Sequence, residues 1–196
     1  MLTRPDPADR PRLQPRALID ALERMGVPWL LTGSVLLAEM GARVEPADLD
    51  VVPAGHPLSL RRLTVALRTL EAVPALGPSR SGALSREQCL QWAPPAAPLP
   101  DELDRTFVTP WGRLDVAVVG YGAYEDLLPD ASPVTVDGRR VLATSPWAVL
   151  DRADRRRRAH RGHPGDHSGW RRSRDLEYDR ARAALVGWSR STGRAG

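Results

Sequence analysis

The chain has 196 residues, enough for one domain of ordinary size with its own core, or for one domain plus a short appendage. Hydrophobic residues make up 42% and charged residues 27%, as in globular chains, and the single cysteine excludes an internal disulfide or a cysteine-rich zinc site. The net charge of +4 is uneven, because residues 1–150 hold 15 arginines and 18 acidic residues, whereas 151–196 hold 13 arginines and 6 acidic residues.

The first elements alternate between helix and strand. Residues 1–14 are rich in Pro, Arg and Asp without periodicity, which predicts a flexible leader. Apolar residues at helical spacing then predict an amphipathic helix over 15–26. The apolar run 27–32 predicts a buried strand, and 34–41 predicts a second helix that ends at a glycine.

Residues 48–52 read DLDVV, and this alternation of polar and apolar side chains predicts a strand with one buried face. A helix is expected over 57–70, with a proline at its first position. The stretch 74–100 includes GPSRSG and APPAAPLP, which indicates mostly loop with a short helical turn at 85–90.

Four further strands are predicted in the second half of the chain. Segments 105–109 and 113–119 are joined by a Pro-Trp-Gly turn, and 134–136 pairs with 140–142 through an Asp-Gly turn typical of a hairpin. Helices alternate with strands before this region and follow it. This order predicts an α/β or α+β protein with a mixed sheet flanked by helices.

The C-terminal part is expected to be helical and basic. A helix over 145–158 begins at a serine followed by proline, and a loop leads from it to a final helix over 174–188. The predicted organisation is therefore a leader, a domain over 15–158 and a basic loop with a C-terminal helix over 159–196.

Three features together indicate a chemical site. Gly33 and Ser34 lie where a predicted strand meets a helix, Asp48 and Asp50 alternate on the next strand, and Asp115 interrupts a later apolar strand. Burying an unpaired carboxylate costs several kcal/mol, so acids inside apolar strands need compensation. A divalent cation would supply it, and carboxylate oxygens favour Mg²⁺ or Mn²⁺.

These residues resemble the signature of the nucleotidyltransferases of the DNA polymerase beta-like superfamily, which is hydrophobic-G-[GS], a short spacer, then D-h-[DE]-h. Here the signature reads LTGS, thirteen residues and DLDV. The superfamily has a third carboxylate on a later strand, and TPWGRLDVAVV is similar to that segment in small bacterial members. The resemblance covers residues 15–158 and is closest to stand-alone enzymes grouped with abortive-infection toxins.

The resemblance implies a minimal nucleotidyltransferase fold and a role for each motif residue. Gly33 and Ser34 would hold the triphosphate of an NTP. Asp48 and Asp50 would bind Mg²⁺, or Mn²⁺ in its place. Asp115 would bind one metal ion or act as the base. The reaction would be attack of an acceptor hydroxyl on the α-phosphate with release of pyrophosphate.

One feature of this chain departs from the family pattern. Related proteins carry a lysine in the helix corresponding to 146–158, and this chain contains no lysine. Arg152 or Arg155 would then contact the nucleotide, although arginine is not equivalent to lysine at a point-charge site.

The acceptor stays open between two classes of molecule. The toxin-like resemblance favours RNA, specifically tRNA ends, with a cognate antitoxin as a further partner, and the basic C-terminal segment is compatible with a polyanion. A small antibiotic such as an aminoglycoside is the alternative acceptor. A catalytically silent binding module that keeps the same fold is a third reading.

No membrane helix or signal peptide is recognised, so a cytoplasmic location is expected.

Overall fold

Seven strands of the described residues form one open, mixed sheet. The computed structural model describes residues 4–77, 82–118, 121–160, 178–182 and 185, without the side chains of 156–160. The strands are β1 Trp29–Thr32, β2 Asp48–Pro53, β3 Val73–Pro74, β4 Arg105–Thr109, β5 Gly112–Val116, β6 Ser132–Val136 and β7 Arg139–Ala143. They lie in the order β3-β4-β5-β2-β1-β7-β6. The pairs β2–β5 and β1–β7 are parallel, and the other neighbours are antiparallel.

Helices flank this sheet. They are α1 Pro15–Arg24, α2 Gly33–Glu39, α3 Pro57–Thr69, α4 Arg86–Gln91, α5 Pro100–Leu103, α6 Tyr124–Leu127 and α7 Pro146–His160, and a 3-10 helix, Leu128–Asp130, follows α6. The architecture confirms the predicted mixed sheet with flanking helices, in its α+β form. Among the helices of the described residues, none combines the length and apolar character needed to cross a membrane.

The helices of the N-terminal half begin and end at local signals in the sequence. The apolar face of α1 is buried, and the chain leaves this helix through Gly26, whose φ is +62°. Helix α3 begins with Pro57, and the His56 ring nitrogen Nδ1 accepts a hydrogen bond of 3.2 Å from the Ser59 backbone N–H. These caps explain why the predicted bounds are accurate to within a few residues.

The stretch 74–100 contains the predicted helical turn as α4. Ser85 caps it, because its hydroxyl accepts from the Gln88 backbone N–H at 3.2 Å while the Gln88 side chain accepts from the Ser85 N–H at 2.8 Å. Strand β3 was not predicted, because two residues carry no periodic signal and its pairing with β4 is a long-range contact.

The predicted hairpin is confirmed, since β6 and β7 pair on either side of Asp137 and Gly138, whose φ angles are +46° and +77°. Strand β5 was predicted over 113–119 and ends at Val116. The backbone N–H of Ala117 still donates to β2, and residue 119 lies outside the described residues.

The N-terminal segment 4–14 contains neither helix nor strand and lies against the sheet. The Gln14 backbone N–H donates to the Trp111 carbonyl at 2.9 Å, and the Leu76 N–H donates to the Pro7 carbonyl at 3.0 Å. These contacts hold the segment against the β4–β5 turn and against the residues that follow β3, and nothing in the local sequence indicates them.

Beyond α7, residues 178–182 and residue 185 of the C-terminal extension are described, and all are helical. Ala181 and Leu185 are buried in the common core. The Arg182 guanidinium lies 2.6 Å from the Asp154 carboxylate of α7. Helix α7 continues to His160, two residues beyond the predicted bound of 158. The rest of the predicted loop lies outside the described residues, as do residues 174–177, 183–184 and 186–188 of the last predicted helix.

Candidate active site

The turn between β1 and α2 brings the backbone of Gly33 directly against the side chain of Asp50 on β2. Strand β1 ends at Thr32 and α2 begins at Gly33, whose φ is +74°. A Cβ added to Gly33 would overlap the Asp50 carboxylate and would lie 2.7 Å from the Asp50 Cβ. The left-handed φ and the close approach each favour glycine. This position therefore requires glycine for two independent reasons.

Ser34 follows in the first turn of α2 and is 7% exposed. Its hydroxyl oxygen is buried, and none of the described residues forms a hydrogen bond with it. An unsatisfied buried hydroxyl costs roughly 1–3 kcal/mol, a cost that a ligand with a matching polar atom removes. The Gly33-Ser34 turn thus combines a close backbone approach with a buried hydroxyl that a ligand can use.

The predicted carboxylates share one face of two neighbouring strands. Asp48 and Asp50 are two residues apart on β2, so their side chains project to the same side. In the parallel pairing of β2 with β5, Asp50 lies opposite Asp115, and Asp48 lies opposite Arg113. Paired residues also project to the same side, and neighbouring strands lie about 4.8 Å apart. We call this surface the carboxylate face.

Threonines extend the carboxylate face into a polar row across the sheet. Thr32 lies opposite Asp50 in the β1–β2 pairing, and Thr106 lies opposite Asp115 in the β4–β5 pairing. The Thr106 hydroxyl donates to Asp115 Oδ1 at 3.0 Å, and the Thr144 hydroxyl donates to the Thr32 hydroxyl at 3.2 Å. Sequence reasoning missed these residues because threonine is common in strands and signals nothing by itself.

Arg113 adds a cation to the carboxylate face. Its Nε donates to the Asp9 backbone carbonyl of the N-terminal segment at 3.1 Å. Burial lowers the pKa of Arg113, Arg10 lowers it further, and the neighbouring Asp48 carboxylate opposes both effects. Arginine nevertheless stays charged. Asp48 therefore has a fixed positive charge in its surroundings, which sequence analysis did not identify.

The two arginines that were predicted to contact nucleotide lie on α7, a helix that contacts α2. The guanidinium carbon of Arg152 lies 3.2 Å from the centroid of the Tyr121 ring, in a cation–π contact. Arg155 is exposed to solvent. Both residues thus belong to a helix beside the Gly33-Ser34 element, and neither is part of the carboxylate face of the sheet.

The oxygen donors of this face fit a hard divalent cation. Asp48, Asp50 and Asp115 offer carboxylates alone, which is the donor set that Mg²⁺ and Mn²⁺ prefer. The side chains of the described residues do not form a cluster of three or more His, Cys, Asp or Glu groups around one point. The hydrogen bond from Thr106 engages Asp115 Oδ1, so Oδ2 is the oxygen that this residue would offer to a cation.

Comparisons with protein-family models, with curated proteins and with solved structures give no match to this chain. A functional assignment therefore depends on the site itself. Its elements are a glycine turn in contact with a carboxylate, a buried serine hydroxyl and three carboxylates on one face of two parallel strands.

Proposed function

We propose that this chain is a magnesium-dependent nucleotidyltransferase that transfers a nucleoside monophosphate from an NTP to an acceptor hydroxyl. The observation that carries the proposal is the contact of Gly33 with Asp50, combined with the position of Asp50 opposite Asp115 on the neighbouring strand. This geometry sets a strand–helix turn beside carboxylates on separate strands. It is the combination that the resemblance to the DNA polymerase beta-like superfamily implies.

The residues divide into two sets by the part of the substrate they would bind. The Gly33 backbone, which approaches Asp50 without a side chain between them, and the buried Ser34 hydroxyl would bind the triphosphate. Asp48, Asp50 and Asp115 would hold Mg²⁺ or Mn²⁺. When bound, the metal supplies positive charge at the attacking and leaving oxygens of an in-line displacement.

The chemistry requires one bond to form and one to break. The acceptor oxygen attacks the α-phosphorus, the bond from that phosphorus to the bridging oxygen breaks, and pyrophosphate leaves. The proton of the acceptor hydroxyl passes to a base, and Asp115 is our candidate for this role as the alternative to binding the metal. Asp115 suits this role because it lies across from Asp50 on the carboxylate face.

RNA, including tRNA ends, is the acceptor that the charge distribution favours. Residues 151–196 have 13 arginines and 6 acidic residues, and a concentration of arginine attracts phosphate backbones. Arg155 is exposed on α7, which contacts α2 beside the proposed triphosphate site. A cationic aminoglycoside would be repelled by the same segment. A toxin-like enzyme of this kind would have a cognate antitoxin as a further partner.

A label-transfer assay tests the proposal directly. The purified chain is incubated with Mg²⁺ and each α-labelled NTP in turn, with either total RNA or a panel of aminoglycosides. We expect label in RNA with the wild-type chain and no label with Asp48→Ala. The matched control is Asp137→Asn, which removes an exposed carboxylate from the β6–β7 turn where asparagine tolerates the positive φ. This variant should transfer label at the wild-type rate.

Other outcomes separate the alternatives. Label on an aminoglycoside would keep the reaction type and change the acceptor class. No label in any reaction, with no NTP-dependent thermal shift, would overturn the proposal and favour a silent binding module.

A further inference from the structure

Asp115 on β5 has Asp50 on one side, on β2, and Thr106 on the other side, on β4. Strand β4 pairs antiparallel with β5, and Thr106 lies directly opposite Asp115. The Thr106 hydroxyl donates to Asp115 Oδ1 at 3.0 Å, in a half-buried environment. Hydrogen bonds to an ionised acceptor are roughly twice as strong as neutral ones. One oxygen of Asp115 is therefore held toward β4.

Asp115 also has a carboxylate on its other side. Asp50 lies opposite it in the β2–β5 pairing, and Asp50 is 7% exposed. Like charges directly opposite one another on neighbouring strands are destabilising. A hydrogen-bond donor that draws one Asp115 oxygen away from Asp50 reduces this repulsion, and Thr106 is that donor.

We propose that Thr106 is a positioning residue that holds the Asp115 carboxylate in the orientation required to bind a divalent cation beside Asp50. The inference rests on the proposed function, because it assumes that the carboxylate face binds such a cation. Thr106 acts through Asp115 and does not itself contact the cation. Hydrogen-bond partners of ligating side chains typically change metal affinity by about 10–100-fold when removed.

The test compares two substitutions of Thr106 by Mn²⁺ titration of the full chain, followed by calorimetry or by the electron paramagnetic resonance of free Mn²⁺. Thr106→Val keeps the shape and the strand preference but removes the hydroxyl, and we expect its Mn²⁺ affinity to fall about tenfold. Thr106→Ser keeps a hydroxyl on the same carbon and should restore most of the affinity. Both variants should stay folded at the temperature of the titration, and a Tm measured for each variant checks this.

Thr109 on the same strand provides the matched control. Its hydroxyl donates to the Gly112 carbonyl at 2.8 Å and accepts from the Trp111 backbone N–H at 3.1 Å, so it supports the β4–β5 turn alone. Thr109→Val should lower the Tm and leave the Mn²⁺ affinity unchanged.

The possible outcomes distinguish this inference from the proposed function. Wild-type affinity in Thr106→Val, or an affinity that Thr106→Ser fails to restore, would overturn the inference alone. No Mn²⁺ binding by the wild-type chain would overturn the proposed function, and this inference with it.

Discussion

The two faces of β2 and β5 have opposite chemistry although they belong to the same strands. One face carries the fully buried side chains Leu49, Val51, Leu114 and Val116. The other face carries Asp48, Asp50, Arg113 and Asp115, with the buried Val52 beyond Asp50 near the end of β2. Because side chains alternate along a strand, one short segment supplies core packing and a polar site without either constraining the other. Substitutions on the apolar face should therefore change the free energy of unfolding, and those on the carboxylate face should change ligand binding.

Leu114→Ala should have the largest effect on stability. Leu114 is 0% exposed, and removing a fully buried leucine side chain leaves a cavity that costs about 2–5 kcal/mol. Urea denaturation should show this loss, whereas Asp115→Ala, one position along the same strand, should cost well under half as much. An equal loss in the two variants would show that the faces do not divide stability from function in this way.

Gly33→Ala should have the next largest effect on stability, because Gly33 in the β1–α2 turn packs directly against Asp50 on the carboxylate face. The added Cβ would collide with Asp50 in addition to carrying a φ of +74°, so we expect a loss of about 3 kcal/mol. Gly41→Ala is the control, since Gly41 has φ of +87° but nothing within 4 Å of an added Cβ. This variant should lose only the free energy that the left-handed backbone costs an alanine, about 1 kcal/mol.

A double substitution sharpens this result. Removing the Asp50 side chain in Gly33→Ala/Asp50→Gly takes away the three atoms that lie nearest to the new Cβ. The excess loss of Gly33→Ala over Gly41→Ala should then disappear in a double-mutant cycle. If the excess persists, the contact with Asp50 is not the reason that this position requires glycine.

The smallest effect should come from an ion pair that lies outside both faces. The Arg139 Nε lies 2.6 Å from Asp20 Oδ1, and the adjacent Arg139 guanidinium lowers the pKa of Asp20. Because the pKa of Asp20 is lower in the folded chain, the ion pair stabilises the fold fully at any pH above the pKa of the unfolded chain, near 3.9. This stabilisation is lost as the pH falls through the folded-state pKa. The Tm difference between wild type and Asp20→Asn should be small and constant above about pH 5 and should shrink below about pH 4. A difference that grows on acidification would contradict the assignment.

Much of the candidate site could be predicted because its residues break local patterns. Asp48, Asp50 and Asp115 interrupt apolar strands, and Gly33 and Ser34 mark the change from strand to helix. These signals are properties of short segments, so no knowledge of the fold is needed to find them.

The remaining parts of the site could not be predicted, since they depend on long-range contacts. Thr106 is an ordinary strand residue until the β4–β5 register sets it opposite Asp115. Arg113 resembles any exposed arginine until the N-terminal segment accepts a hydrogen bond from it through the Asp9 carbonyl. The two-residue strand β3 exists only through its pairing with β4.

The sequence by itself determined, within β2 and within β5, which side chains share a face, because alternation follows from the backbone geometry of a single strand. Only the tertiary structure decided that these two strands are neighbours, that Asp50 lies opposite Asp115, and that Gly33 approaches Asp50. Strand order and register are set by packing and hydrogen bonds between segments that are far apart in the chain. Local patterns therefore identified the carboxylates, and the fold arranged them on one face.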